Sequence, residues 1–395
     1  MLKRIKHNLQ KLLIATLIAG LFLMTKPLSP AMTQSLNTGT KSSESDGILA
    51  MVVQEDGRII VGGTFTSMRG QPRNFIARLN ADGSLDMTFD PGANSFIHTL
   101  AIQADGKILV GGDFTEMDGQ TEERIARLNA DGTLDTDFSA KANNSVHALI
   151  IQTDAKILVG GDFTELNDLS RNHIARVNPD GSLDDFNPGA NGIVKTLIVQ
   201  TDNKIVVGGY FTEITGEPRD HIARLETNGA LDAAFQASTN NNVFALALDA
   251  DGNILVGGEF TMLNSQPRNY MGRLDSEGNL DSTFDPGVDH FVNSLVVQND
   301  GMIVVAGDFT HLAGVPRNFI GRLSSDGLLD MNFDPGANDG INILLLQSDG
   351  RILVGGWFSQ IGAEPRNLIA RLHPDGSIDA SFRGENYIFL PLVIK

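Results

Sequence analysis

The stretch Gln103-Ala104-Asp105-Gly106-Lys107-Ile108-Leu109-Val110-Gly111-Gly112-Asp113-Phe114-Thr115 is followed by Ile125-Ala126-Arg127-Leu128-Asn129-Ala130-Asp131-Gly132-Thr133-Leu134-Asp135 and then Phe138; together they decide the fold. Two Asp-Gly pairs separate short β-rich runs. Such a pair between apolar runs is the strongest local hairpin signal, because glycine accepts positive φ. The run before the first turn starts at Ile97, so the unit reads as four antiparallel strands, a to d. Strand b is apolar on consecutive residues, whereas a strand with one wet face would alternate. Both of its faces are therefore covered.

The unit recurs. A glycine closing strand b stands at 63, 112, 161, 209, 258, 307 and 356, at spacings of 49 or 48 residues. A fixed period of this length marks a solenoid, a propeller or an array. Four-stranded sheets covered on both faces and repeated seven times predict an all-β, seven-bladed β-propeller of four-stranded antiparallel blades. A parallel solenoid is disfavoured, since its coils lack paired Asp-Gly hairpins. The blades fall at about residues 46–94, 95–143, 144–191, 192–240, 241–289, 290–338 and 339–386.

The pattern Gln-x-Asp-Gly-Lys-Ile-Leu-Val-Gly-Gly-Asp-Phe-Thr, then Ile-Ala-Arg-Leu-Asn-x-Asp-Gly-Ser-Leu-Asp-x-x-Phe, resembles the delta-60 repeat of bacterial β-propellers over about residues 46–386. The resemblance implies the propeller fold and frequent export, and no single activity. Kelch propellers share a Gly-Gly doublet but add a spaced Tyr and Trp. Three Tyr and one Trp are too few for that pattern.

The N-terminus reads differently. Lys3, Arg4, Lys6 and Lys11 precede an apolar run from Leu12 to Met24, and Ser29-Pro30-Ala31 follows. This is the pattern of a secretory signal peptide over residues 1–31. Its apolar run is short for a membrane span of about 20 residues. Cleavage removes five basic and no acidic residues, leaving 25 basic against 48 acidic, a net −23. That surface repels nucleic acid and anionic membrane. Residues 32–45, rich in Ser and Thr, read as a flexible linker. The tail 387–395 reads as an edge strand or a sorting tail. A secreted or cell-surface chain is expected, without a membrane span after cleavage and present as a monomer. There is no cysteine, so neither a thiol nucleophile nor a Cys-ligated metal is available.

Residues present in every unit answer a folding need; those that break the symmetry are the better site candidates. The strand-c arginine (Arg78, Arg127, Arg176, Arg224, Arg273, Arg322, Arg371) and the strand-d aspartate (Asp86, Asp135, Asp184, Asp232, Asp281, Asp330, Asp379) are invariant within the chain. One Arg–Asp contact per blade is expected, shielded by the neighbouring blade. Fourteen phenylalanines at two fixed places read as blade-to-blade packing.

Three sets remain as ligand-binding candidates. One position of the innermost strand varies: Leu49, His98, His147, Lys195, Phe244, Asn293 and Asn342. Polar, non-repeating residues at a channel mouth suit ligand contact. The position after the glycine doublet also varies, and there Tyr210 and Trp357 offer stacking surface. Finally Arg73, Arg171, Arg219, Arg268, Arg317 and Arg366 in the b–c connection predict a basic rim able to meet anionic groups. Two histidines do not make a metal site. Asn80-x-Asp82-Gly83-x-x-Asp86 resembles part of a calcium loop, but two oxygen ligands are missing and the hairpin explains the residues. No cofactor is expected, calcium being the one cation considered. No catalytic motif is present. The expected function is a binding or scaffold module for an unidentified protein or glycan. The alternatives are a channel-site hydrolase or lactonase with a divalent cation, and a purely structural spacer.

Overall fold

The fold comes from a computed structural model that describes residues 46–383. The expected signal segment, linker and C-terminal tail lie outside the described residues. In the first repeat β1 (Ile48–Val53) pairs antiparallel with β2 (Ile59–Gly63), and β2 pairs antiparallel with β5 (Ile76–Leu79). Between them β3 (Ser67–Met68) and β4 (Gln71–Pro72) form a separate two-residue hairpin. The same five elements recur in all seven repeats, and no helix occurs among the described residues.

The expected fourth strand is present as one bridge, Leu79 to Leu85, repeated in each blade through Leu372 to Ile378. It stops there for a local reason. The Asp86 carboxylate accepts from the Thr88 backbone N–H and hydroxyl at 2.9 and 2.7 Å. This side-chain turn takes the place of the next rung and leads the chain to Phe89, which is fully buried.

All five residues of β2, and of its counterpart in every blade, are buried. The core lies between blades. Ile60 and Ile76 of the first blade cluster with Ile97, Ile108 and Leu128 of the second, and Phe89 packs among them. The ring shuts in the same way: Ile48, Val61 and Phe65 share a cluster with Leu353, Ile369 and Phe382 of the seventh blade. Each blade draws its three sheet strands from its own repeat, so closure rests on packing and turn contacts.

The glycine doublet answers two separate crowding constraints. A Cβ on Gly62 would lie 2.5 Å from Ile97 Cγ2 of the next blade; one on Gly63 would lie 2.0 Å from the Gly47 carbonyl oxygen of its own.

The invariant arginine joins neighbours three ways. Arg78 Nε donates to Asp86 at 2.8 Å, its guanidinium lies 4.5 Å from the Phe89 ring centroid, and Nη1 donates to the Ala130 carbonyl of the second blade at 2.6 Å. The expected Arg–Asp pair is present in all seven blades. Five of the aspartates take a second cation from the a–b turn: Arg58, Lys107, Lys156, Lys204 or Arg351.

Candidate functional site

The sheet register carries an irregularity at one place in each blade. Ile48 pairs with Gly63 and Ala50 with Gly62, which leaves Leu49 as an extra residue in β1. Its counterparts are His98, His147, Lys195, Phe244, Asn293 and Asn342. The position that varies along the inner strand is therefore the bulged one. A β-bulge frees one residue from the ladder and re-aims its side chain, so the frame can repeat while this side chain changes.

All seven bulge residues line one cavity of about 790 Å³ at the channel mouth. Tyr210, Glu259, Asp308 and Trp357 line it too. All four occupy the variable position after the glycine doublet, and the structure brings that position to the bulges. The cause is the ladder. The backbone N–H after the doublet donates to the carbonyl just before the inner strand, as Tyr210 does to Ile193 at 2.8 Å and Trp357 to Gly340 at 3.0 Å. Phe291, which directly precedes its inner strand, also lines the cavity and escaped the sequence reading. The available signal was a third variable column: Gly47, Phe96, Ser145, Ile193, Asn242, Phe291 and Gly340.

The cavity is uneven in chemistry. Its basic and imidazole side chains stand on three consecutive blades. His98 Nε2 lies 3.0 Å from Asp113 Oδ2, and the His98 and His147 rings are 4.7 Å apart. Burial alone would raise the Asp113 carboxyl, but the hydrogen bond and charge of His98 hold it at about 2. Burial, with Lys195 and His98 nearby, pushes His147 down to about 3 and keeps it neutral. Burial also lowers the Lys195 amine, against the pull of Asp113. The aromatic side follows: the Phe244 ring centroid lies 5.9 Å from that of Tyr210 and 6.1 Å from that of Phe291. Asn293 and Asn342 donate to Ile341 and Ile48 carbonyls of the next blade, at 3.2 and 3.1 Å, so their amide N–H groups tie blades together.

The arginines of the b–c connection stand elsewhere, and the expected basic rim is corrected. None of Arg73, Arg171, Arg219, Arg268, Arg317 and Arg366 lines the cavity. Arg73, Arg268 and Arg317 are buried. Arg268 donates to the carbonyls of Pro267 at 2.7 Å, Ser282 at 3.0 Å and Phe284 at 3.1 Å; Arg317 repeats the bonds to Pro316 and Met331. Arg219 and Arg366 each donate to the preceding proline carbonyl. The irregular chain around the segment d carbonyls leaves acceptors that a sheet would have used, and these guanidinium groups take them.

In the loop that resembles a calcium site, the Asp82 carboxylate accepts from Ser84 and that of Asp86 from Arg78 and Thr88. Among the described residues no three His, Asp or Glu side chains gather closely enough to hold a metal ion.

No curated protein matches the chain in sequence. Several solved structures match in shape. The WD40 β-propeller domain of Doa1 superposes with a TM-score of 0.56 at 17% identity, over 80% of this chain and 91% of that one. Virginiamycin B lyase from Staphylococcus aureus gives 0.52 at 14%, over 78% and 91%. The extracellular domain of a hybrid two-component system from B. thetaiotaomicron gives 0.51 at 12%, over 82% of this chain and 40% of that one. At such identities the likeness is one of fold alone. A β-propeller family described as a domain of unknown function, DUF5122, matches residues 54–89, 103–138, 152–185, 200–235, 250–284, 298–333 and 347–382. These seven segments cover more than half of the chain, one in each blade, and the chain therefore belongs to the DUF5122 β-propeller family.

Proposed function

We propose that this chain is an exported binding module whose ligand enters the channel mouth. One observation carries the reading: seven bulges direct the position that varies most in chemistry into one cavity. A volume of about 790 Å³ lies within the range of about 300–1,000 Å³ for small-ligand sites. The ligand class that fits has an anionic or acceptor end for Lys195 and the histidines, and an apolar or aromatic body for Phe244, Tyr210 and Phe291. The C-terminal residue of a peptide and an acidic aromatic compound both meet this description. Export is supported by the basic and apolar start of the sequence.

The binder is preferred over a metal-dependent hydrolase because no three metal-ligating side chains cluster among the described residues. Glu259 and Asp308 do add two carboxylates to the cavity. Trp357 is the one tryptophan of the chain and lines the cavity, so its fluorescence reports on the site directly. Titration with a panel of aromatic carboxylates and short peptides should shift that fluorescence, and Phe244→Ala should weaken the response about tenfold or more. A panel that leaves Trp357 unmoved while a ligand is retained on the outer surface would overturn the proposal.

A further inference from the structure

The described residues include five lysines, and four of them are ion-paired. Lys107 lies 2.7 Å from Asp135, Lys141 2.8 Å from Asp168, Lys156 2.7 Å from Asp184, and Lys204 2.7 Å from Asp232. The fifth, Lys195, forms no ion pair through its ammonium among the described residues, Asp113 acting on it only from a distance, and stands at a bulge in the channel-mouth cavity. Its neighbours there are His147, whose buried Nδ1 has no hydrogen-bond partner among the described residues, and Phe244.

This arrangement suits more than charge recognition. Lys195 has no ion pair of its own and burial outweighs the pull of Asp113, so its ammonium is disfavoured relative to the free amine, and a free amine is a nucleophile toward carbonyl carbon. The contrast is with two of the ion-paired lysines: Asp168 raises the Lys141 amine above its ordinary value, and Asp232 with Glu226 does so for Lys204. For Lys195 burial acts in the other direction.

We propose that Lys195 is a covalent capture site that forms a reversible imine with aldehyde-bearing ligands entering the channel mouth. The proposal rests on the reading of that mouth as the ligand site. The amine nitrogen attacks the carbonyl carbon; a C–N bond forms and the C=O π pair moves to oxygen, which takes up the proton released by nitrogen. The carbinolamine then loses water as the nitrogen lone pair closes the C=N bond. The overall change is one aldehyde and one amine to one imine and one water, with no oxidant or reductant. His147 lines the same cavity on the neighbouring blade, neutral and with a buried, unpartnered ring nitrogen.

The test is reductive trapping. The purified full chain is incubated with limiting benzaldehyde and cyanoborohydride at neutral pH, and adducts are mapped by peptide mass spectrometry. Lys195 should be alkylated several times faster than Lys107, Lys141, Lys156 and Lys204, because burial lowers its amine and no carboxylate pairs with it. The adduct should be absent from Lys195→Arg, with unfolding of that variant checked alongside. Equal labelling of the five lysines, or an unlabelled Lys195, would overturn the proposal on the unsubstituted chain alone. Benzoate, which cannot form an imine, separates the two readings. A Trp357 fluorescence response to benzoate, together with no Lys195 adduct from benzaldehyde, removes the covalent step and keeps the ligand site; neither a response nor an adduct removes both.

Discussion

Arg371 in the seventh blade donates through Nη1 to the carbonyl oxygen of Ala81 in the first, 2.6 Å away and 290 residues distant in sequence. Every other blade pair makes the equivalent bond and is also joined by the chain. At this seam no strand is exchanged, and the Arg371 bond acts beside the shared core and the Arg383 backbone N–H to Asp82 carbonyl bond at 2.7 Å.

Arg371→Gln should therefore cost more than Arg224→Gln. Each removes one of two cations from a buried aspartate, Arg351 or Lys204 remaining, a loss of about 1–3 kcal/mol. Only the first also loosens the seam. Denaturant unfolding should show both losses, and limited proteolysis should cut the first and seventh blades preferentially in Arg371→Gln. Equal protease resistance of the two variants would contradict the closure argument.

Acid should unfold the ring over a defined window. Burial works against ionisation of Asp86, Asp232, Asp281 and Asp379, yet hydrogen bonds and the paired cations outweigh it and hold each at about 2, below the ordinary 3.8. A carboxylate lowered on folding stabilises the fold above its unfolded value, and that contribution is lost as pH falls through the folded one. The melting temperature should drop steeply from about pH 4 to about pH 2. His147 adds a gentler slope above this: its folded value of about 3 lies below 6.5, so the unfolded chain binds the proton first and stability declines as pH falls between the two. His147→Phe should flatten that upper slope and leave the lower one.

The two glycines of a doublet should respond differently to alanine. Position 306 of the sixth blade already holds alanine where other blades have the first glycine. Gly62→Ala meets the buried Ile97 side chain, which must shift, and its cost should be about 1–3 kcal/mol. Gly63→Ala meets a backbone oxygen at 2.0 Å that cannot turn aside, so this variant should fail to fold or lose several times more. Comparable melting temperatures would refute the distinction.

Ala155 occupies the turn position that glycine holds in five blades and Asn203 in the fourth, with φ at 63°. The left-handed region costs a residue with a Cβ about 1–2 kcal/mol. Ala155→Gly should raise stability by up to about 1 kcal/mol, since the looser unfolded chain takes back part of the gain. Thermal unfolding measures this without disturbing any site residue.

Arg268→Ala and Arg317→Ala should lower stability, by about 2 kcal/mol each, and leave channel ligands bound as before. Both buried side chains serve carbonyls of their own blade, and their loss removes those bonds together with the packing of the side chain. Reduced ligand affinity in variants that melt normally would return these arginines to the site.

The frame was open to reading before any coordinates. A period near 49, two Asp-Gly turns per unit and consecutive apolar residues in strand b require hairpin sheets covered on both faces, and seven of them close a wheel. The Arg–Asp pairs followed as well, because a two-residue turn sets strand c beside segment d. The bulge did not. One extra residue in a ladder is invisible in a run such as Ile97-His98-Thr99-Leu100, where either register satisfies the apolar pattern. Without the bulge, the variable inner-strand column and the column after the doublet look like separate features, and Glu259 and Asp308 stay out of the cavity.

What the sequence by itself determined is the repeating part: strand number, turn chemistry, the seven-fold count and the residues every blade needs. These are short-range consequences of backbone preference and apolar pattern, written the same way seven times. Only the tertiary structure decided where polar side chains spend their hydrogen bonds. It sent the b–c arginines to carbonyls of their own blade, gave four lysines a carboxylate, and left Lys195 in the channel without one. Those outcomes depend on which acceptor lies within about 3 Å once the neighbouring blades are packed, and no local pattern encodes that distance.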